Sequence, residues 1–235
     1  MTEKNVMGVR SMNKLDWSKN LRGVYKKWIW GDTYNYSRIC DYIQKINYCI
    51  QDLNNEIEAL AEPTMKEVVY VIVLVDWICE AIEAIQKTLL CEVANNYTYK
   101  EEESIQEALR FFKAIRSFVV AHPLSTNRHK DYGFDGDMIC VDVRRENTAI
   151  TRIFSDCKDW YKLDFAGLQK HPQKPKADFV LYVYSKKEDG MQYFKYIGVE
   201  LKDIYQVAEL QIKKLYDLDK YLEGIKKKDC LGGGI

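Results

Sequence analysis

Two sets of residues in this chain have the types and spacing to do phosphodiester chemistry. The first is Arg116-Ser-Phe-Val-Val-Ala-His122-Pro123. Arg116 falls inside the apolar arc of a helical segment, between Leu109 and Phe112 on a helical wheel, where a charge is costly to bury. His122 precedes a proline and is biased out of the helix. An imidazole titrating near neutrality can take the proton of a ribose 2′-hydroxyl or protonate a leaving 5′-oxygen. A guanidinium can stabilise the charge that builds on the phosphorane oxygens. The 2′-hydroxyl is an internal nucleophile, so this chemistry needs no metal and no cofactor. Thr126-Asn-Arg128-His129-Lys130 follows closely, and Arg128 and His129 are candidates for substrate contact; the alternative is an exposed polar loop. The second set is Asp178, before an expected strand, with Glu200-Leu-Lys202 at the end of the next one. Asp142 or Asp137 could join them. The ordinary reading of this set is strand-end charges, with Glu200 favoured by the dipole at the start of the last helix.

These residues must be positioned by the elements around them. Residues 36–61 carry Ile39, Ile43, Ile46, Ile50, Leu53, Ile57 and Leu60 in steps of four and three, the stripe of one long helix. Glu62-Pro63-Thr64 ends it, and Thr64 with Glu67 forms a capping box for a second helix over 65–94. Asp76, Glu80 and Glu83 make an acidic stripe on that helix; no His or Cys completes a ligand set, so a solvated face with a Glu83–Lys87 pair is expected. A third helix over 99–121 presents Ile105, Ala108, Leu109, Phe112, Ile115 and Val119. After Pro123 the character changes. Met138 to Val143 alternates as a strand, 144–176 reads as irregular, and Phe179–Tyr184 and Gln192–Val199 read as a hairpin pair. Leu201 to Ile225 returns to helical spacing. The fold expected is mainly α (α+β): a helical bundle over 1–130, a small antiparallel β insertion over 131–199, and a closing helix over 200–235.

Composition narrows the function. Lys+Arg 35 balances Asp+Glu 35, so a nucleic-acid site must be a local patch. Residues 1–35 interleave Lys14, Trp17, Arg22, Lys26, Trp28 and Trp30. Such a pattern can bind single-stranded nucleic acid, but a helix burying its tryptophans is the expectation. The seven cysteines form no CxxC pair and no secretory signal is evident, so reduced thiols in a cytoplasmic protein are expected. The longest apolar run, Val68 to Val75, is too short to span a bilayer, and no membrane association is expected.

Long helices followed by Arg116 and His122 at a helix end resemble the HEPN superfamily, whose signature is Arg, four to six residues, then His. The resemblance covers 36–122 and extends to 201–226. It implies an α-helical bundle, a homodimer with two Arg–His motifs facing in one cleft, and metal-independent cleavage of RNA. His122 would be the general acid/base and Arg116 the stabiliser of transition-state charge. It also implies an antitoxin or phage-defence partner, or, for non-catalytic members, an RNA- or protein-binding module. Ser117 stands where active members often carry Asn, Asp or His. The Asp178, Glu200 and Lys202 set is similar to the PD-(D/E)xK nuclease pattern, which implies Mg²⁺-dependent cleavage with Asp178 and Glu200 on adjacent strands holding the ion and Lys202 helping to activate water; here Pro175 and Asp178 are not adjacent.

Overall fold

The structure is a computed structural model that describes residues 9–57, 63–121, 138–143, 159–186 and 192–227. It is mainly helical with one sheet. The helices are α1 (Thr33–Glu56), α2 (Met65–Lys87), the short α3 (Cys91–Ala94), α4 (Glu102–Arg116) and α5 (Leu201–Gly224). The strands are β1 (Met138–Asp142), β2 (Asp159–Asp164), β3 (Gly167–His171), β4 (Phe179–Lys186) and β5 (Gln192–Val199). Two compact units divide the chain. One comprises Met1–Val9, Glu56–Val73 and Gln106–Val207; the other comprises Arg10–Asn55, Leu74–Ile105 and Ala208–Ile235.

In the second unit α1 buries Ile39, Ile43, Ile46, Ile50 and Leu53, the stripe read from the sequence. Asn47 and Asn54, seven residues apart on α1, pin the extended segment before it. Each side-chain amide pairs with one residue's backbone N–H and C=O, Asn47 with Leu15 (2.6 and 3.1 Å) and Asn54 with Met12 (2.9 and 2.7 Å). Trp30 is buried and its indole N–H donates to Val24 C=O at 2.8 Å, whereas Trp17 is 65% exposed. The N-terminal region is turns and a 3₁₀ turn (Lys27–Trp30) rather than the expected helix. Gly23 permits its close approach to α5, because a Cβ there would lie 2.1 Å from Asp219 C=O. Lys26 then donates to the carbonyls of Leu222, Glu223 and Ile225 around the end of α5.

The capping box at α2 forms as expected: Thr64 N–H donates to the Glu67 carboxylate and Glu67 N–H to Thr64 Oγ1. The second helix ends at Lys87, earlier than its apolar content suggests, and Cys91–Ala94 is a separate turn of helix. Glu83 and Lys87 pair at 3.3 Å on an exposed face.

The first unit holds the sheet, in the order β1-β4-β5-β2-β3. β1, β4 and β5 pair antiparallel, but β2 runs parallel to β5, so the sheet is mixed rather than antiparallel. The hairpin β2–β3 arises from residues expected to be irregular; it is antiparallel, with Trp160 opposite His171 and Asp164 opposite Gly167. Gly167 takes a φ of 101° at the turn, a conformation costly for any side chain. β4 is buried on both faces from Phe179 to Val183, which marks it as a central strand. α4 buries Ala108, Leu109, Phe111, Phe112 and Ile115, and Phe111 meets Phe165 of the β2–β3 turn edge-on at 5.1 Å.

Candidate functional site

β4 begins with Phe179 opposite Val199, the last residue of β5. Asp178 and Glu200 therefore stand side by side just beyond the paired strands. Asp178 N–H donates to Val199 C=O at 3.0 Å, and Leu201 N–H donates to Asp178 Oδ2 at 2.8 Å. Asp178 thus caps the first turn of α5, whose free N–H groups favour an anion. Both carboxylates are buried, Asp178 at 6% exposure and Glu200 at 4%.

A third element reaches them. Lys162 on β2 lies opposite Gly198 on β5, and strand alternation puts Lys162 and Glu200 on one face of the sheet. Lys162 Nζ is 2.7 Å from Glu200 Oε2, and Lys202 Nζ is 3.1 Å from Glu200 Oε1. Burial pushes the Glu200 carboxyl up, but the hydrogen bonds from Lys162 and Lys202 outweigh it and hold it below its ordinary value. The Lys162 ammonium is raised, chiefly by its hydrogen bond to Glu200.

Asp203, in the first turn of α5, completes the cluster. Its Oδ2 is buried with no hydrogen-bond partner. Burial first, and the neighbouring Glu200 charge second, push its carboxyl up to about 6. An orphaned carboxylate oxygen beside the buried Glu200 carboxylate is a costly arrangement for stability alone. Among the described residues no three Asp, Glu, His or Cys side chains are grouped to hold a metal ion. Mg²⁺ asks for less, since it is commonly held by one or two carboxylates with waters and substrate phosphates completing the shell. The Asp178 and Glu200 pair, facing across the β4–β5 register, fits an ion held in that way.

The backbone around the pair is fixed by Gly198. A Cβ there would lie 2.9 Å from both Pro175 Cγ and Ala177 Cβ, so only glycine lets the segment leading to Asp178 cross the sheet at this point. Lys174 on that segment lies over the Tyr196 ring, 5.5 Å from its centroid, and Trp160 meets Tyr196 edge-on at 4.5 Å.

Of the residues expected from sequence to act, the structure brings together Asp178, Glu200 and Lys202. Asp142 is the last residue of β1, opposite Val180 of β4, and Asp137 lies outside the described residues. His122, Arg128 and His129 also lie outside the described residues. Arg116 ends α4 and is half-buried, while Ile115, Ser117, Phe118 and Val119 around it are buried. A π-helical turn, Ser117–Ala121, follows it directly. Sequence reasoning missed Lys162 and Asp203. The faint signal for Lys162 was the alternation Trp160, Lys162, Asp164 against Tyr161, Leu163, Phe165.

Comparison with known protein families, with curated proteins and with solved structures finds no match for this chain.

Proposed function

We propose that this protein is a nuclease that cleaves phosphodiester bonds with the help of a divalent cation at Asp178, Glu200 and Lys202. One observation carries the reading: two buried carboxylates stand at neighbouring strand ends with lysine ammonium groups at hydrogen-bond distance. Asp178 and Glu200 would hold Mg²⁺, which when bound supplies charge stabilisation to the phosphate and acidifies a bound water. Lys202, with its side chain 43% exposed, can swing from Glu200 to a phosphate oxygen or an attacking water. The α5 N-terminus adds backbone N–H groups that favour an anionic substrate. A reducing cytoplasmic setting suits the free cysteines Cys40, Cys49 and Cys79.

A second reading is favoured by Arg116. It stays half-exposed amid buried neighbours, and a π-helical turn, a feature frequent at functional sites, follows it. In this reading the protein is a HEPN-like, metal-independent endoribonuclease. A homodimer would set Arg116 and His122 at the scissile phosphate, with Arg128 and His129 on the RNA. An antitoxin or defence-system partner would control it.

One assay separates the two. Purified protein is incubated with labelled single-stranded RNA and DNA, in Mg²⁺ or in excess EDTA, beside Glu200→Gln and His122→Ala. Mg²⁺-dependent cutting that falls by about two orders of magnitude or more in Glu200→Gln, but not in His122→Ala, is expected. EDTA-resistant cutting of RNA lost in His122→Ala would move the assignment to the Arg–His site. Binding without cutting in either condition would leave a non-catalytic RNA-binding module.

A further inference from the structure

We propose that Lys162 is a positioning residue: it is the resting counter-ion of Glu200, which opposes a divalent cation whether it is displaced or stays in place, and so it sets the metal affinity of the site. The inference rests on the metal-assisted reading above.

Both Glu200 oxygens are engaged, Oε2 by Lys162 at 2.7 Å and Oε1 by Lys202 at 3.1 Å. The carboxylate is 6% exposed, so it cannot stand unpaired without a large desolvation cost. A cation that takes a Glu200 oxygen must take it from an ammonium, and an ammonium left in place repels it. The two lysines are not equivalent in this respect. Lys202 is on the first turn of α5 with its side chain 43% exposed, and it can leave for solvent or substrate at little cost. Lys162 has the shorter contact and a side chain only 29% exposed. Its backbone is fixed by pairing on both sides, opposite Gly198 of β5 and Gln169 of β3. Lys162 is thus the contact whose release the fold makes difficult. Metal entry and substrate capture are coupled as a result: an ammonium displaced from Glu200 is left beside the place where the phosphate must sit.

The test is calorimetric titration of Mn²⁺ into the full chain without nucleic acid. It compares the parent with Lys162→Met, Lys162→Gln, Lys162→Arg and Glu200→Gln, each checked for an unchanged far-ultraviolet spectrum. Lys162→Met and Lys162→Gln both keep much of the stem that packs along the sheet, so either serves if the other fails to fold. The neutral variants should bind Mn²⁺ about tenfold more tightly than the parent. Lys162→Arg should match the parent, and Glu200→Gln should lose binding. Equal or weaker binding by both neutral variants, where the parent binds and Glu200→Gln does not, overturns the role of Lys162 and leaves the metal site standing. No Mn²⁺ binding by any form overturns both.

Discussion

At the scale of single residues, the cluster is defined by opposite pressures on neighbouring carboxyls. Glu200 is held ionised by two lysines, whereas Asp203 is left with a buried oxygen and its carboxyl is raised from 3.8 to about 6. A carboxyl raised in the folded state binds its proton more tightly there than in the unfolded chain. Between pH 4 and 6 the folded protein therefore carries more protons, and stability falls as pH rises through that window. Full ionisation of Asp203 should cost on the order of 2 kcal/mol above pH 6, after allowance for its partial exposure. Glu200, being depressed, works in the other sense and loses its contribution as pH falls. The difference between the parent and Asp203→Asn isolates the Asp203 contribution. In metal-free buffer, denaturant melts should show the variant gaining little at pH 4 and about 2 kcal/mol at pH 7. An equal gain at both pH values would mean that Asp203 titrates normally. Residues of this kind were half-legible in the sequence. Asp178, Glu200 and Lys202 declare themselves by position at strand ends, but nothing local to Lys162 or Asp203 announces that they meet Glu200.

At the scale of elements, the site depends on how the segment before β4 crosses the sheet. Pro175 and Ala177 lie over Gly198, and the chain then delivers Asp178 to the end of β5. Gly198→Ala puts a methyl group 2.9 Å from both, where one side must move. Overpacking of this sort costs about 1–3 kcal/mol. The displaced segment carries Asp178, so on the proposed metal-assisted reading cleavage should fall more than thermal stability would explain. Parallel measurement of melting temperature and of Mg²⁺-dependent rate at a temperature where the variant is fully folded checks this. A variant that melts lower but cuts at the parent rate would separate Gly198 from the site. The same scale shows where sequence reading succeeds. α1 was visible because five apolar residues at helical spacing, Ile39 to Leu53, all turn inward, and the Thr64–Glu67 box fixes the start of α2 by local hydrogen bonds alone. β2 and β3 were not visible. They are short, rich in Lys, Asp and Gln, and half-exposed, and β2 owes its place to parallel pairing with β5, more than thirty residues on in the chain. A pairing so distant is not written in the residues around β2. The end of α4 was read as simple helix, and the switch to a π-helical turn after Arg116 has no composition signal of its own.

At the scale of the whole molecule, charge sets the terms of substrate capture. The chain has equal numbers of acidic and basic side chains, so no long-range field draws a polyanion to it. No described helix is long and apolar enough to cross a membrane. Capture then falls to local cations. Near the carboxylate cluster, among the described residues, these include Lys162 and Lys202, both already paired with Glu200, and Lys174 over Tyr196. Each phosphate neutralised on a single strand contributes about 0.7 to the slope of log affinity against log salt. In EDTA Lys162 stays on Glu200, so Lys202 and Lys174 predict a shallow slope, about −1.4, where a protein with an extended basic track would show a slope several times steeper. Aromatic contact supplies part of the remainder, since stacking on a ring such as Trp160 is insensitive to salt. Fluorescence anisotropy of a labelled single-stranded oligonucleotide, titrated in EDTA across a salt series, measures the slope directly. A shallow slope that falls further in Lys174→Ala places the substrate across the sheet face beside Glu200. A slope steeper than about −5 would require a longer cationic path than these lysines offer, and would shift the main contacts to the basic residues of the Arg116 to Lys130 region.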